Sequence, residues 1–124
     1  MTPVVELDAA VLKAMGWTHH PRIGGEGAYW RERFDSPNGC QSRFMDMPDE
    51  RDYFSTDPNG HEALRLCGPW LREHTLRWGI SQTNDGKTYA FGAVKHWAAH
   101  VNDVDGIGKA ICDLVLAVAE REGT

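Results

Sequence analysis

The sequence predicts an α+β fold, an antiparallel β-sheet layered between α-helices (an α/β/α sandwich) in the order α-β-β(-β)-α-β-β(-β)-α. Three observations predict it. Apolar residues recur at helical spacing near the start, in the middle and at the end of the chain. Between those segments the pattern switches to alternation, the signature of strands with one buried face. Asn84-Asp85-Gly86 divides two alternating runs, which is how a tight hairpin reads in sequence.

The first helix is expected to begin near Thr2-Pro3, with a Thr cap and Pro at the first helical position. Leu7, Val11, Ala14 and Met15 share one face, while Asp8 and Lys13 point to water. Gly16 stands where a helix end needs a positive φ, and Trp17 folds back on the apolar face just ended. His19-His20 before Pro21 reads as a solvated turn, and Pro21 to Gly27 as a loop. Ala28 to Phe34 alternates as a strand. Pro37-Asn38-Gly39 is a turn, and Gln41 to Met45 a short return strand.

Thr56 or Asp57 caps the second helix, with Pro58 in its first turn. Ala63, Leu64, Cys67, Trp70, Leu71 and His74 define its buried stripe, and Gly68-Pro69 predicts a kink or break. In the hairpin, Leu76, Trp78 and Ile80 share one face of the first arm, and Tyr89, Phe91 and Ala93 one face of the second. Trp97, Ala99 and Val101 continue the alternation beyond a bend near Lys95. Asp103 or Asp105 caps the last helix, whose stripe is Ile107, Ala110, Ile111, Leu114, Val115 and Val118.

At 124 residues the chain fits a single domain, 1–124, that buries a core without disulfides. Its formal charge of −5 lacks the basic footprint of a general nucleic-acid binder or of an anionic-membrane binder. No window approaches the ~20 apolar residues that span a bilayer. The start carries no secretion signal, and Cys40, Cys67 and Cys112 form no paired spacing, so reduced thiols in the cytoplasm are expected.

Motifs for catalysis and metal binding fail on context. His96 and His100 would chelate zinc on a helix, but on a strand they lie roughly 13 Å apart. Asp103-Val104-Asp105-Gly106 lacks the later bidentate acid of a calcium loop. Gly24-Gly25-Glu26-Gly27 does not lead from a strand into a helix, as a phosphate cradle requires. Cys40 has no neighbour that would activate it. No catalytic residue, metal or cofactor is expected, and the protein is read as a non-enzyme.

Two surfaces remain as candidates. Asp46, Asp49, Glu50, Asp52 and Asp57 concentrate negative charge, relieved only by Arg51, and Tyr53 and Phe54 offer aromatic anchors beside them. This loop, represented by Asp46, Asp49, Glu50, Asp52 and Tyr53, is the expected partner-binding surface; a merely solvated loop is the alternative. Trp30, with Arg31 and Arg33, would stack a base and meet a phosphate in a nucleotide-type ligand. The edge at Ala28 to Phe34 either pairs with itself in a homodimer or is protected by its arginines, and oligomeric state stays open.

The series Leu7-Asp8-Ala9 through Met15-Gly16-Trp17, Trp30, Pro37-Asn38-Gly39, Phe54-Ser55-Thr56-Asp57 and the closing Gly108-Lys109-Ala110-Ile111-Cys112 resembles the phage ABA-sandwich domain family. Gly68-Pro69 and the segment Met47-Pro48-Asp49-Glu50 depart from that pattern. The resemblance implies a sheet layered between helices and a small phage or prophage protein acting in the cytoplasm of a bacterial host. It carries no catalytic residues. It implies binding to a host protein or complex, such as a component of a defence system (anti-CRISPR-like or other anti-defence), with sequestration of a small ligand as the alternative.

Overall fold

A computed structural model describes residues 3–21, 32–45 and 53–122. The α+β layered architecture is present, with the antiparallel strands in two three-stranded sheets. Helix α1 spans Pro3–Ala14 and ends as its sequence requires. Gly16 takes φ 87°, its N–H donates to the Lys13 carbonyl, and the Trp17 N–H reaches back to Leu12, each at 3.0 Å. These paired bonds satisfy carbonyls that a helix end leaves free.

Strands β1 (Thr18–His20), β2 (Arg33–Asp35) and β3 (Ser42–Phe44) form the smaller sheet, in that order. His19 and His20 are therefore strand residues, not a solvated turn. The His19 ring stacks on Phe34 with centroids 4.7 Å apart, and His20 meets Asp35 at 3.0 Å. In the turn before β3, Asn38 Oδ1 accepts from the Cys40 N–H and the Ser36 hydroxyl, and Gly39 takes φ 74°.

A 3₁₀ turn, Phe54–Thr56, precedes α2 (His61–His74). Asp57 caps this helix at a distance: its carboxylate accepts from the Asn59 and His61 amides at 3.0 Å each. Pro58 thus lies in the turn ahead of α2 rather than in its first turn. The helix also runs unbroken through Pro69, whose ring faces solvent. Ala63, Leu66, Cys67 and Leu71 are buried, while Leu64 turns outward.

Strands β4 (Arg77–Gln82), β5 (Thr88–Val94) and β6 (Trp97–Val104) form the larger sheet in sequence order. The β4–β5 register places Trp78 opposite Gly92 and Ile80 opposite Ala90. Cross-strand partners share a face, so the inner face of β5 is Thr88, Ala90 and Gly92. Tyr89, Phe91 and Ala93 share a face as the alternation predicts, and it is the outer one; Phe91 stays 38 % exposed. Helix α3 (Ile107–Glu122) explains the choice of small residues. A Cβ at Gly92 would stand 3.3 Å from Leu114 Cδ1 and 3.4 Å from Val118 Cγ2, so small inner residues let α3 lie close to the sheet.

The start of α3 is satisfied differently from the side-chain cap expected at Asp103 or Asp105. The Ile107 and Gly108 amides donate to the carbonyls of Pro58 and Asp57, at 3.2 and 3.1 Å. Asp105 instead pairs with Lys87 at 3.0 Å, and Asp103 adopts φ 62°. Helix α3 contacts the larger sheet, α1, α2 and the 3₁₀ turn, and its apolar stripe joins their buried side chains in a shared cluster.

Candidate protein-binding surface at the α2–β4 corner

Two polar or apolar concentrations stand out, one closed and one open. The closed one centres on Asp8, which is 1 % exposed although its helix position suggested water. Its carboxylate accepts from the Phe54 amide at 3.1 Å and the Ser55 amide at 3.3 Å. Asp8 thereby ties α1 to a turn 46 and 47 positions later in the chain. Burial pushes its pKa up to about 6, against the opposing pull of the Ser55 and Phe54 groups and the Arg43 charge. The Ser55 hydroxyl lies beside the same carboxylate, but its buried Oγ makes no hydrogen bond among the described residues.

Cys67 and Cys112 are buried nearby, and burial pushes both thiols up, Cys67 to about 12. Such thiols stay protonated at neutral pH and pack as small apolar groups. Arg43 spans 3.0 Å to Glu62 and lies over the Phe54 ring at 5.2 Å. The closed region is thus assembled from interactions that hold the backbone in place.

The open region lies where α2 faces the outer edge of β4, with which no other strand pairs among the described residues. Leu64 of α2 is 48 % exposed and Leu76, just ahead of β4, is 76 % exposed. Leu64, Trp78, Ile80, Ile107 and Ile111 line a groove of about 490 Å³, with Gly60 at one end. On the other side of Trp78 a second hollow runs along Gly68, Pro69, Arg72 and Glu73. The two hollows share Trp78 and form one corner. Side chains of this kind are costly to leave in water, and gain on being covered.

Charge distinguishes this corner as well. Arg33 donates to Asp35, Arg43 and Arg65 both meet Glu62, and Arg121 lies over Trp97 at 5.5 Å. Arg65 and Arg43 beside Glu62 hold its carboxyl below the usual range. Arg72 and Arg77 are the two arginines without an ion-pair or ring partner among the described residues; Arg72 lines the second hollow, and Arg77 begins β4 on the sheet face opposite Trp78 and Ile80.

The sequence-predicted surfaces fare unequally. Asp46, Asp49, Glu50 and Asp52 lie outside the described residues, as do Trp30 and Arg31. Tyr53 is only 4 % exposed and its hydroxyl donates to the Met45 carbonyl at 2.7 Å, so it anchors the chain inward. Phe54 is likewise buried. Arg33 sits in β2 with its Nε 3.2 Å from Asp35 Oδ1. His100 is exposed on β6 and His96 lies in the β5–β6 turn. The described residues contain no cluster suited to a metal ion, and no helix among them is long and apolar enough to cross a membrane.

Sequence reasoning missed the corner because Leu64 was assigned to the buried stripe. Leu64 lies at the margin of the buried set Ala63, Leu66, Cys67 and Leu71, on nearly the same face as Leu71, so helical spacing alone does not reveal that it is left exposed. Comparison of the chain with protein families, with curated proteins and with solved structures gives no match.

Proposed function

We propose that this protein is a non-enzymatic binding protein that acts by covering part of a host protein, with the α2–β4 corner as its contact surface. The observation that carries the reading is the groove over Ile107 and Ile111 with exposed Leu64 on it, beside a hollow lined by Arg72, which makes no ion pair among the described residues. An apolar centre bordered by arginine is the composition in which interface energy concentrates. The resemblance to the phage ABA-sandwich family supports a bacterial host factor as partner and the bacterial cytoplasm as the setting. A component of an antiviral defence system fits that setting. The acidic segment around Asp46, Asp49, Glu50 and Asp52 extends the proposal to a second contact with a basic surface.

The test is capture from bacterial lysate on immobilised wild-type protein and on a Leu64→Asp variant. The reading expects a partner held by wild type and released by the variant. Absence of any specific partner, or one held equally by both, contradicts it. A thermal-shift screen against nucleotides separates the small-ligand alternative, which predicts a rise in melting temperature where the protein-partner reading predicts none.

A further inference from the structure

The geometry points to a specific mode of contact at this corner: β4 accepts an extended acidic-aliphatic peptide segment as an added strand. The inference rests on the protein-binding reading above and names the chemistry of the partner. It begins with the contrast between the two edges of the larger sheet. An edge strand presents unpaired N–H and C=O groups, and proteins blunt it with bulges, lysines, prolines or twist. β6 is blunted, because its pairing with β5 shifts between Thr88 and Ala90 and Asp103 takes φ 62°. β4 has no bulge against β5, and its one charged residue is Arg77 at its start. Its six residues, Arg-Trp-Gly-Ile-Ser-Gln, pair with β5 in unbroken register and contain no lysine or proline.

A strand laid along this edge would hydrogen-bond to the outward groups of β4 and send alternate side chains to the two faces of the sheet. Those on the inner face arrive at Leu64, Ile80 and Ile107, so they must be aliphatic. Acidic residues belong at the end of the segment nearest Arg77, where Arg72 on the inner face and Arg77 on the outer face make no ion pair among the described residues. Glu73 beside Arg72 offsets part of that charge, so one or two acidic residues match it better than a long acidic run. A second copy of this chain fits less well, since β4 offers only its own Arg77 as a charged residue and no carboxylate to meet the partner's arginines.

Two fluorescein-labelled peptides test the mode, Asp-Glu-Ile-Thr-Val-Thr-Val and its reverse, which cover both strand directions. Fluorescence anisotropy should show one of them binding. N-methylation of one alternate set of its amides should weaken binding about tenfold or more, and methylation of the other set should not. The combined variant Arg72→Glu, Arg77→Glu should weaken it about tenfold, with the loss shrinking at high salt. Because methylation alters only the peptide, that result is independent of how the variants fold. The inference is overturned if neither peptide binds at millimolar concentration, if both methylation patterns are tolerated alike, or if charge reversal changes nothing. Sedimentation that shows a dimer undiminished by peptide also overturns it, assigning the edge to a second copy. A lysate partner lost from Leu64→Asp while both peptides fail sinks strand addition and spares the binding reading.

Discussion

The Asp8 junction and the α2–β4 corner each contain groups that water would otherwise solvate, and the protein treats them in opposite ways. At the junction a carboxylate is drawn inside and given two backbone amides, so that α1 and the 3₁₀ turn move as a unit. At the corner aliphatic side chains and two arginines are left at the surface without partners among the described residues. A satisfied buried polar group fixes one structure. An unsatisfied exposed surface leaves free energy to be gained from another molecule. The difference separates residues that make the fold from residues that the fold displays.

Substitutions should divide along the same line. The largest stability loss is expected from Gly108→Ala. Alanine ordinarily favours a helix by about 1 kcal/mol over glycine, but here its Cβ would stand 2.6 Å from the Asp57 carbonyl oxygen and 2.7 Å from that of Phe54. Those are backbone oxygens, that of Asp57 accepting the Gly108 amide and that of Phe54 the Asp57 amide, so they cannot simply rotate away. Urea unfolding should show a net loss of about 2–4 kcal/mol; an unchanged midpoint would mean the α3 start is not pinned to the turn.

Asp8→Ala comes next, with an expected loss of about 2–3 kcal/mol for two buried amides stripped of their acceptor. Asp8 also sets a pH dependence. Its folded pKa, about 6, exceeds the ordinary 3.8, so the folded state binds the proton more tightly than the unfolded chain. The stability from this proton is full below about pH 4 and is lost as pH rises through 6, a change of about 3 kcal/mol. Unfolding free energies of wild type and Asp8→Asn between pH 4 and 7 isolate it. Their difference should vary across that window, and parallel curves would refute the assignment.

At the corner the stability effects should be small and the binding effects large. Gly79→Ala places a Cβ 2.8 Å from Phe91 Cε1, but that ring is partly exposed and can swing, so the expected cost is below about 1 kcal/mol. Leu64→Ala should change stability by no more than about 0.5 kcal/mol while releasing the lysate partner. A large thermal loss in Leu64→Ala would move that residue from the displayed class to the structural one.

Features governed by near neighbours were legible in the sequence. Gly16 with Trp17, the Asn84-Asp85-Gly86 hairpin and the α3 stripe each depend on residues a few positions apart, and each forms as expected. What required the tertiary structure was less visible. Asp8 looks solvent-facing on its own helix because its partners, Phe54 and Ser55, come from a distant turn. Alternation along β5 does not show which face points inward; α3 approaches so closely that Ala90 and Gly92 take the inner one. Of the candidate site, Tyr53 was chosen for its aromatic character, which here serves the interior. The corner was hidden because Leu64 lies at the margin of a stripe whose Ala63, Cys67 and Leu71 are buried as expected, and its edge strand carries no motif at all.

Amide hydrogen exchange of the protein, alone and with the partner captured from lysate, tests the division most directly. The account predicts that binding slows exchange along Arg77–Gln82 and at Leu64. The Phe54 and Ser55 amides, held by Asp8, should exchange slowly in both states. Slowing confined to β6 or to the smaller sheet, with β4 unchanged in the complex, would contradict the assignment of the α2–β4 corner as the binding surface.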